Sequence, residues 1–194
     1  RPMRDLSSIL QHAIGESVET LRALGEIDQQ LRRAADILEA CFTSGHKVLV
    51  CGNGGSAADA AHFATEFVVR FAADRRGYPA LCLTSDGGLL SAAANDYGFD
   101  EIFARQVAAF GEADDVLIGL TTSGNSRNVQ RALEEAKARD LRTIVFLGRD
   151  GGFTKGAAEV ELIVRGESTA RIQEAHKFLL HVLCEAMEER LPSQ

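Results

Sequence analysis

Five short apolar runs recur along the chain: "KVLVCG", "PALCLTS", "DVLIGLT", "RTIVFLG" and "VELIVRG", each bounded by polar or glycine-rich punctuation. Runs this short and this continuously apolar read as strands buried on both faces, which is the pattern of a parallel sheet. Between them lie stretches with helical periodicity: a helix from about Ser56, helical segments around "GGLLSAAAND" and "DEIFARQVAAFG", and the helix "NVQRALEEAKARD". A short glycine-rich turn and helix follow "RTIVFLG", and a last helix runs from about Ala170 to Glu189. Strand and helix in alternation imply right-handed βαβ units. The expected fold class is therefore α/β, a five-stranded, mainly parallel sheet flanked by helices on both faces.

Ahead of the first strand, apolar residues at helical spacing (Ile9, Ala13, Val18, Leu21 and Leu24, then Ile27, Leu31, Ala34, Ile37 and Leu38) predict two helices, the second ended by Gly45. No repeat, low-complexity tract or long linker interrupts the 194 residues, so a single domain is expected, residues 1–45 forming a helical extension and 46–194 the α/β core. An amphipathic extension remote from the glycine loops suits an oligomer interface; the alternative is packing on its own sheet. Arg1 and Pro2 carry no weight in this reading.

A formal net charge of −7 argues against a nucleic-acid partner, which needs a basic face to displace counterions. Any phosphorylated ligand must then be held by local dipoles and a few placed side chains. The four cysteines, Cys41, Cys51, Cys82 and Cys184, form no CxxC pair and read as small buried residues of a reduced, cytoplasmic protein. No stretch approaches the ~20 apolar residues of a membrane span, and "RPMRDLSSILQHAIGES" lacks the apolar run of a secretion signal.

Ligands of open parallel sheets gather at the carboxyl ends of strands, and two loops there have unusual chemistry. In "CGNGGSAAD" the glycines admit close backbone approach, with Asn53 and Ser56 as polar groups at a helix start. In "GLTTSGNSRNV", Thr121, Thr122, Ser123 and Ser126 surround Gly124 at the start of another helix. Hydroxyls beside free N–H groups at the positive end of a helix dipole make a phosphate cradle without a lysine; the alternative is ordinary N-capping. Gly52 to Ala57 also fits G-x-G-x-x-A, but the acidic residue that dinucleotide binding requires is missing after the second strand, and no GxxxxGK[ST] phosphate loop is present.

His62 and Glu66, four apart on the helix after the first loop, project from one face, while Gln173 and His181, eight apart on the last helix, also point broadly together. Two imidazoles, a carboxylate and an amide oxygen are a plausible set for zinc or a similar divalent ion. The alternatives are a solvated helix face for the first pair, the commoner origin of such spacing, and a satisfied core histidine for His181. His12, His46 and His176 read as surface or structural residues.

The segments "CGNGGSAADAAHFATEF", "ANDYGF", "ADDVLIGLTTSGNS", "FLGRDGG" and "ARIQEAHKFLLH" closely resemble, in order and spacing, the bacterial sedoheptulose-7-phosphate isomerases of the sugar isomerase (SIS) superfamily. The resemblance runs from about Leu38 onward. It implies a flavodoxin-like three-layer sandwich and an aldose–ketose isomerase that converts D-sedoheptulose 7-phosphate to D-glycero-D-manno-heptose 7-phosphate, the first step toward heptose precursors of lipopolysaccharide and related surface glycans. It also implies a cytoplasmic homotetramer that binds zinc and a sugar phosphate, with neither nucleic acid nor membrane as partner. By resemblance, His62, Glu66, Gln173 and His181 occupy metal positions and Glu66 with His181 the acid/base pair. Asn53, Gly54, Gly55, Ser56, Asn95, Asp96, Thr121, Thr122, Ser123, Ser126 and Gln173 occupy substrate positions. His181 would come from the last helix of the same or a neighbouring subunit.

The residue types suit the reaction: a carboxylate and an imidazole can move protons at adjacent carbon and oxygen, and a held phosphate orients the reacting end. Two departures stand out. Thr121 replaces a common serine and keeps its hydroxyl, and Ala170 stands where some members carry an aspartate. The rival readings are a noncatalytic relative that binds the bacterial replication initiator, and a sensor or isomerase for another sugar phosphate. Retention of both Glu66 and His181 favours the enzyme.

Overall fold

The computed structural model describes residues 5–192; Arg1 and Pro2 lie outside them. Two helices, α1 (Leu6–Ala23) and α2 (Asp28–Thr43), precede β1 (Val48–Gly52), α3 (Gly55–Val68), β2 (Ala80–Cys82), α4 (Gly87–Tyr97) and α5 (Ala104–Phe110). There follow β3 (Val116–Thr121), α6 (Arg127–Ala138), β4 (Arg142–Gly148), β5 (Val160–Val164) and α7 (Thr169–Arg190). The strands form one sheet in the order β2-β1-β3-β4-β5 with every pairing parallel. The expected α/β class is the one observed.

Strand side chains alternate between two apolar layers, because successive Cβ atoms point to opposite faces of a sheet. Val48, Val50, Ile118, Leu120, Ile144 and Phe146 pack with α2, α3 and α7. Leu49, Cys51, Leu117, Val145 and Leu147 pack with α4, α5 and α6. The buried aromatics Phe42, Phe63, Phe67 and Tyr78 thicken the first layer, and truncating one to alanine would cost about 3–5 kcal/mol.

β1 and β3 lie side by side in register, Cys51 opposite Gly119 and Gly52 opposite Leu120. Their helices leave toward opposite faces, α3 into the first layer and α6 into the second. The two loops therefore stand side by side at the point where the strand order reverses, where such sheets bind ligands.

Three elements differ from the sequence reading. β2 is three residues long, because Leu83 N–H donates to Val50 O (2.9 Å) and the chain then turns through Ser85 N–H to Cys82 O (3.3 Å) into α4, which Asp86 caps. The helix after β4 is only a 3-10 turn over Gly152–Thr154, entered through glycine with a left-handed backbone. The segment "DEIFARQVAAFG" divides into a 3-10 turn over Phe99–Glu101 and α5. All four cysteines are free, and Cys82, read as buried, is only half-buried on the edge strand.

Helix α1 contains no buried residue. Leu6, Ile9, Leu10, Ile14 and Val18 are exposed along it, Leu6 by 80%. Its polar ties run to α7, where Arg171 donates to Ala13 O (2.9 Å) and Ser17 Oγ (3.1 Å).

Candidate functional site

The loops after β1 and β3 end their strands differently. In the first, Ser56 N–H donates to Asn53 O (3.0 Å), and Ala57 and Ala58 donate to Gly54 O (3.1 and 3.2 Å). The opening donors of α3 are thus consumed by the loop's own carbonyls, with no side-chain cap. Gly55 is required by close approach: a methyl group there would overlap the Gln173 amide of α7. Gln173 therefore stands at the loop end of α3. Ser56 is buried beneath the loop.

In the second loop the hydroxyls converge. Thr121 Oγ1 lies 2.9 Å from Ser126 Oγ and 3.4 Å from Ser123 Oγ, while Asn125 N–H donates to Ser123 Oγ (3.1 Å). Gly124 adopts φ +68° with its Cα against the Gly151 carbonyl, a position no side chain fits. Ser126 occupies the N-cap position of α6, yet its hydroxyl makes no cap bond. Helices α1, α4 and α7 do use side-chain caps, from Asp5, Asp86 and Ser168. The capping alternative is therefore not what Ser126 does here, and the first N–H groups of α6 donate to no side chain. Thr122 is half-buried, its carbonyl packed against Gly148.

A residue absent from the sequence reading joins the loops. Asn128 is buried in the first turn of α6 and exchanges two side-chain bonds with Asn53, Asn53 Nδ2 to Asn128 Oδ1 at 2.8 Å and Asn128 Nδ2 to Asn53 Oδ1 at 2.9 Å. The clue was an asparagine inside a helix start, where its propensity is poor and a tertiary partner is the usual reason.

Beyond the glycine loop, α3 and α7 bring three further candidates together. His62 Nε2 lies 2.6 Å from Glu66 Oε1, and the rings of His62 and His181 meet edge-on with centroids 5.2 Å apart. One ligand atom from each of His62, Glu66 and His181 falls within 4.8 Å of the others. His181 here belongs to the same chain. A second unpredicted residue, Arg75, secures the helix beneath them by donating to Glu66 O (2.6 Å) and Phe67 O (3.0 Å), the carbonyls that a helix C-terminus leaves free. Phe71, in the same returning segment, packs on His181 with ring centroids 5.8 Å apart.

Asn95 and Asp96 lie exposed at the end of α4, where Asn95 Nδ2 donates to Asp96 Oδ1 (2.8 Å), and no hydrogen bond ties them to the other candidates. The remaining histidines are as read. His12 faces solvent beside Glu16, His46 lies by Asp115, and His176 is fully buried. Burial pushes His176 down to about 4, and its Nε2 meets Leu147 O at 3.0 Å. Since a carbonyl only accepts, Nε2 carries the proton.

A family model described as the SIS domain matches residues 13–148. The phosphoheptose isomerase of Citrifermentans bemidjiense is 49% identical over 174 residues, covering 89% of this chain and 91% of the relative. Among solved structures, the phosphoheptose isomerase of Neisseria gonorrhoeae superimposes with a TM-score of 0.89 at 39% identity, covering 95% of this chain and 100% of that one. That of Francisella tularensis gives 0.88 at 34% identity, covering 96% and 100%.

Proposed function

The chain belongs to the phosphoheptose isomerases of the SIS-domain family and is a sugar-phosphate isomerase, and we propose how its own residues divide the work. Its reaction in this reading interconverts D-sedoheptulose 7-phosphate and D-glycero-D-manno-heptose 7-phosphate, feeding heptose precursors of lipopolysaccharide or related surface glycans. Two observations support the assignment of roles: the convergence of His62, Glu66 and His181, and, on a different loop, a helix N-terminus whose cap hydroxyl is uncommitted to capping.

The phosphate is held by Thr121, Thr122, Ser123 and Ser126 with the N–H groups of α6, at the positive end of its dipole. Asn53, Gly54, Gly55, Ser56 and Gln173 meet the sugar hydroxyls, with Asn95 and Asp96 as further contacts. Glu66 takes a proton from C1 of the ketose as the C1=C2 bond forms, and His181 gives a proton to the C2 oxygen, leaving an enediol. His181 then accepts the C1 hydroxyl proton as the new carbonyl forms, and Glu66 returns its proton to C2. Electrons and protons balance within the substrate and the two side chains.

Two imidazoles and a carboxylate, with ligand atoms this close, fit zinc by donor type. His62, Glu66 and His181 would hold it, with the Gln173 amide as the fourth candidate ligand; when bound, it would supply Lewis-acid polarisation of the substrate oxygens. The unburied apolar face of α1 supports assembly as a homotetramer, and the four free cysteines support a reducing, cytoplasmic setting. No helix among the described residues is long and apolar enough to cross a membrane.

The test is an isomerase assay with five-, six- and seven-carbon ketose phosphates, with and without a chelator, beside sedimentation of the protein. Turnover fastest on the seven-carbon substrate and lost with chelator is expected. Preference for a shorter sugar would overturn the substrate, and full activity in chelator the metal.

A further inference from the structure

Asp59 is the one buried carboxylate lying between the two halves of the α3–α7 contact, and the chemistry above makes no use of it. It is 2% exposed, and neither carboxylate oxygen has a hydrogen-bond donor. Lys177 Nζ approaches Oδ1 to 3.0 Å outside hydrogen-bond geometry, and the lysine is itself about half exposed. A carboxylate buried this way does not arise as a stability device, because its desolvation offsets most of what one ion pair returns.

Its place in the helix pair accounts for it. Gln173, Lys177 and His181 stand at four-residue intervals on α7, a stripe along one face. On α3 their counterparts run in the same direction: Gln173 packs on Gly55, Lys177 meets Asp59, and His181 meets His62. The first contact lies at the sugar-binding loop and the third at the proton-transfer cluster. Beside Lys177, His176 fixes α7 to the carboxyl end of β4 through Leu147 O, with its other ring nitrogen unpartnered.

We propose that Lys177 and Asp59 are positioning residues, an ion pair that sets the register of α7 against α3 and so places His181 over His62 and Glu66. The proposal rests on the isomerase reading for its kinetic consequence but not for its structural one. A slide along either helix would exchange this charge contact for an unpaired buried carboxylate, which makes the register discrete.

The test compares Lys177→Met, Lys177→Arg and Asp59→Asn in the full chain, with circular dichroism to establish folding. For Lys177→Met, kcat for sedoheptulose 7-phosphate should fall roughly tenfold to a hundredfold, the scale of an ångström misplacement, with KM changing less, because the phosphate loop leads into α6 and only Gln173 among the proposed substrate contacts lies on α7. Lys177→Arg should restore most of it. Combining Lys177→Met with Asp59→Asn should cost no more than the worse single change, since both break one contact. Histidine ring resonances give a readout independent of turnover: those of His62 and His181 should move in Lys177→Met and return in Lys177→Arg, while His12 and His46 stay. An unchanged kcat in a folded, active Lys177→Met protein, additive losses, or unmoved His62 and His181 resonances would each overturn the clamp. A wild type without isomerase activity would instead sink the isomerase reading, and the resonances would still decide the clamp.

Discussion

The loops after β1 and β3 begin from neighbouring strands and look alike in composition, yet they have opposite hydrogen-bond economies. The glycine loop spends the donors of α3 on its own carbonyls and is tied at Gly55 to Gln173 and at Asn53 to Asn128. The hydroxyl loop turns Thr121, Ser123 and Ser126 toward one another and leaves the start of α6 without a side-chain cap. A loop closed on itself presents shape and leads into a rigid helix, which suits the placement of His62 and Glu66. A loop with donors to spare presents charge complementarity to an anion. In the proposed reading, chemistry and phosphate binding therefore fall to different loops.

The division is most severely tested on the chemical side. Glu66→Gln and His181→Ala should each lower kcat by roughly 10²–10⁴-fold, the usual worth of a placed acid or base, while inorganic phosphate still competes with substrate as in the wild type. Competition lost along with kcat would merge the two sides.

The helix that carries His181 is also pinned by an acid-sensitive group. His176 is held neutral to about 4 in the folded state against an ordinary 6.5, so between these values only the unfolded chain takes up the proton. Stability from this group is intact above pH 6.5 and is lost as pH falls toward 4, by up to about 3 kcal/mol. Denaturant unfolding from pH 7 to 4 should show this loss in the wild type and not in His176→Gln, whose amide can still donate to Leu147 O.

Asn128→Ala acts on the joint between the loops. It removes both side-chain partners of the Asn53 amide in a partly buried place, at a cost of about 1–3 kcal/mol, and should raise KM and lower kcat together. A change in only one constant would show that the loops are independent.

Ser126→Ala gives the finest separation. If its hydroxyl serves the phosphate, KM rises about tenfold with kcat held and the melting temperature nearly unchanged. Asp86→Ala, which removes a real cap from α4, should cost about 1 kcal/mol of stability and nothing in KM. Equal destabilisation by the two would restore the capping role for Ser126.

Much of this was legible in the chain. Buried parallel strands leave continuous apolar runs, and loops that meet anions concentrate glycine and hydroxyls, so "KVLVCG" and "TTSGNS" announced themselves. The spacing of His62 and Glu66 fixed their common face, and the last helix offers Gln173 and His181 by spacing; the structure brings His181 to the first pair and sets Gln173 against Gly55. Pairing across 75 residues was not legible: Asn128 is an ordinary helix residue until Asn53 is seen opposite it. Nor could composition distinguish a cap from a ligand hydroxyl at Ser126, since the residue types are the same and only the partner differs. The helix expected after β4 failed because Gly151 and Gly152 hold left-handed backbone, which breaks a helix after one tight turn.

The most direct test of the division is calorimetric binding of sedoheptulose 7-phosphate to Glu66→Gln and Ser126→Ala, set beside their turnover. The account predicts that Glu66→Gln binds within about threefold of the wild type and does not turn over, while Ser126→Ala binds about tenfold more weakly and reaches wild-type kcat at saturation. The reverse pattern, binding lost in Glu66→Gln and kcat lost in Ser126→Ala, would contradict it.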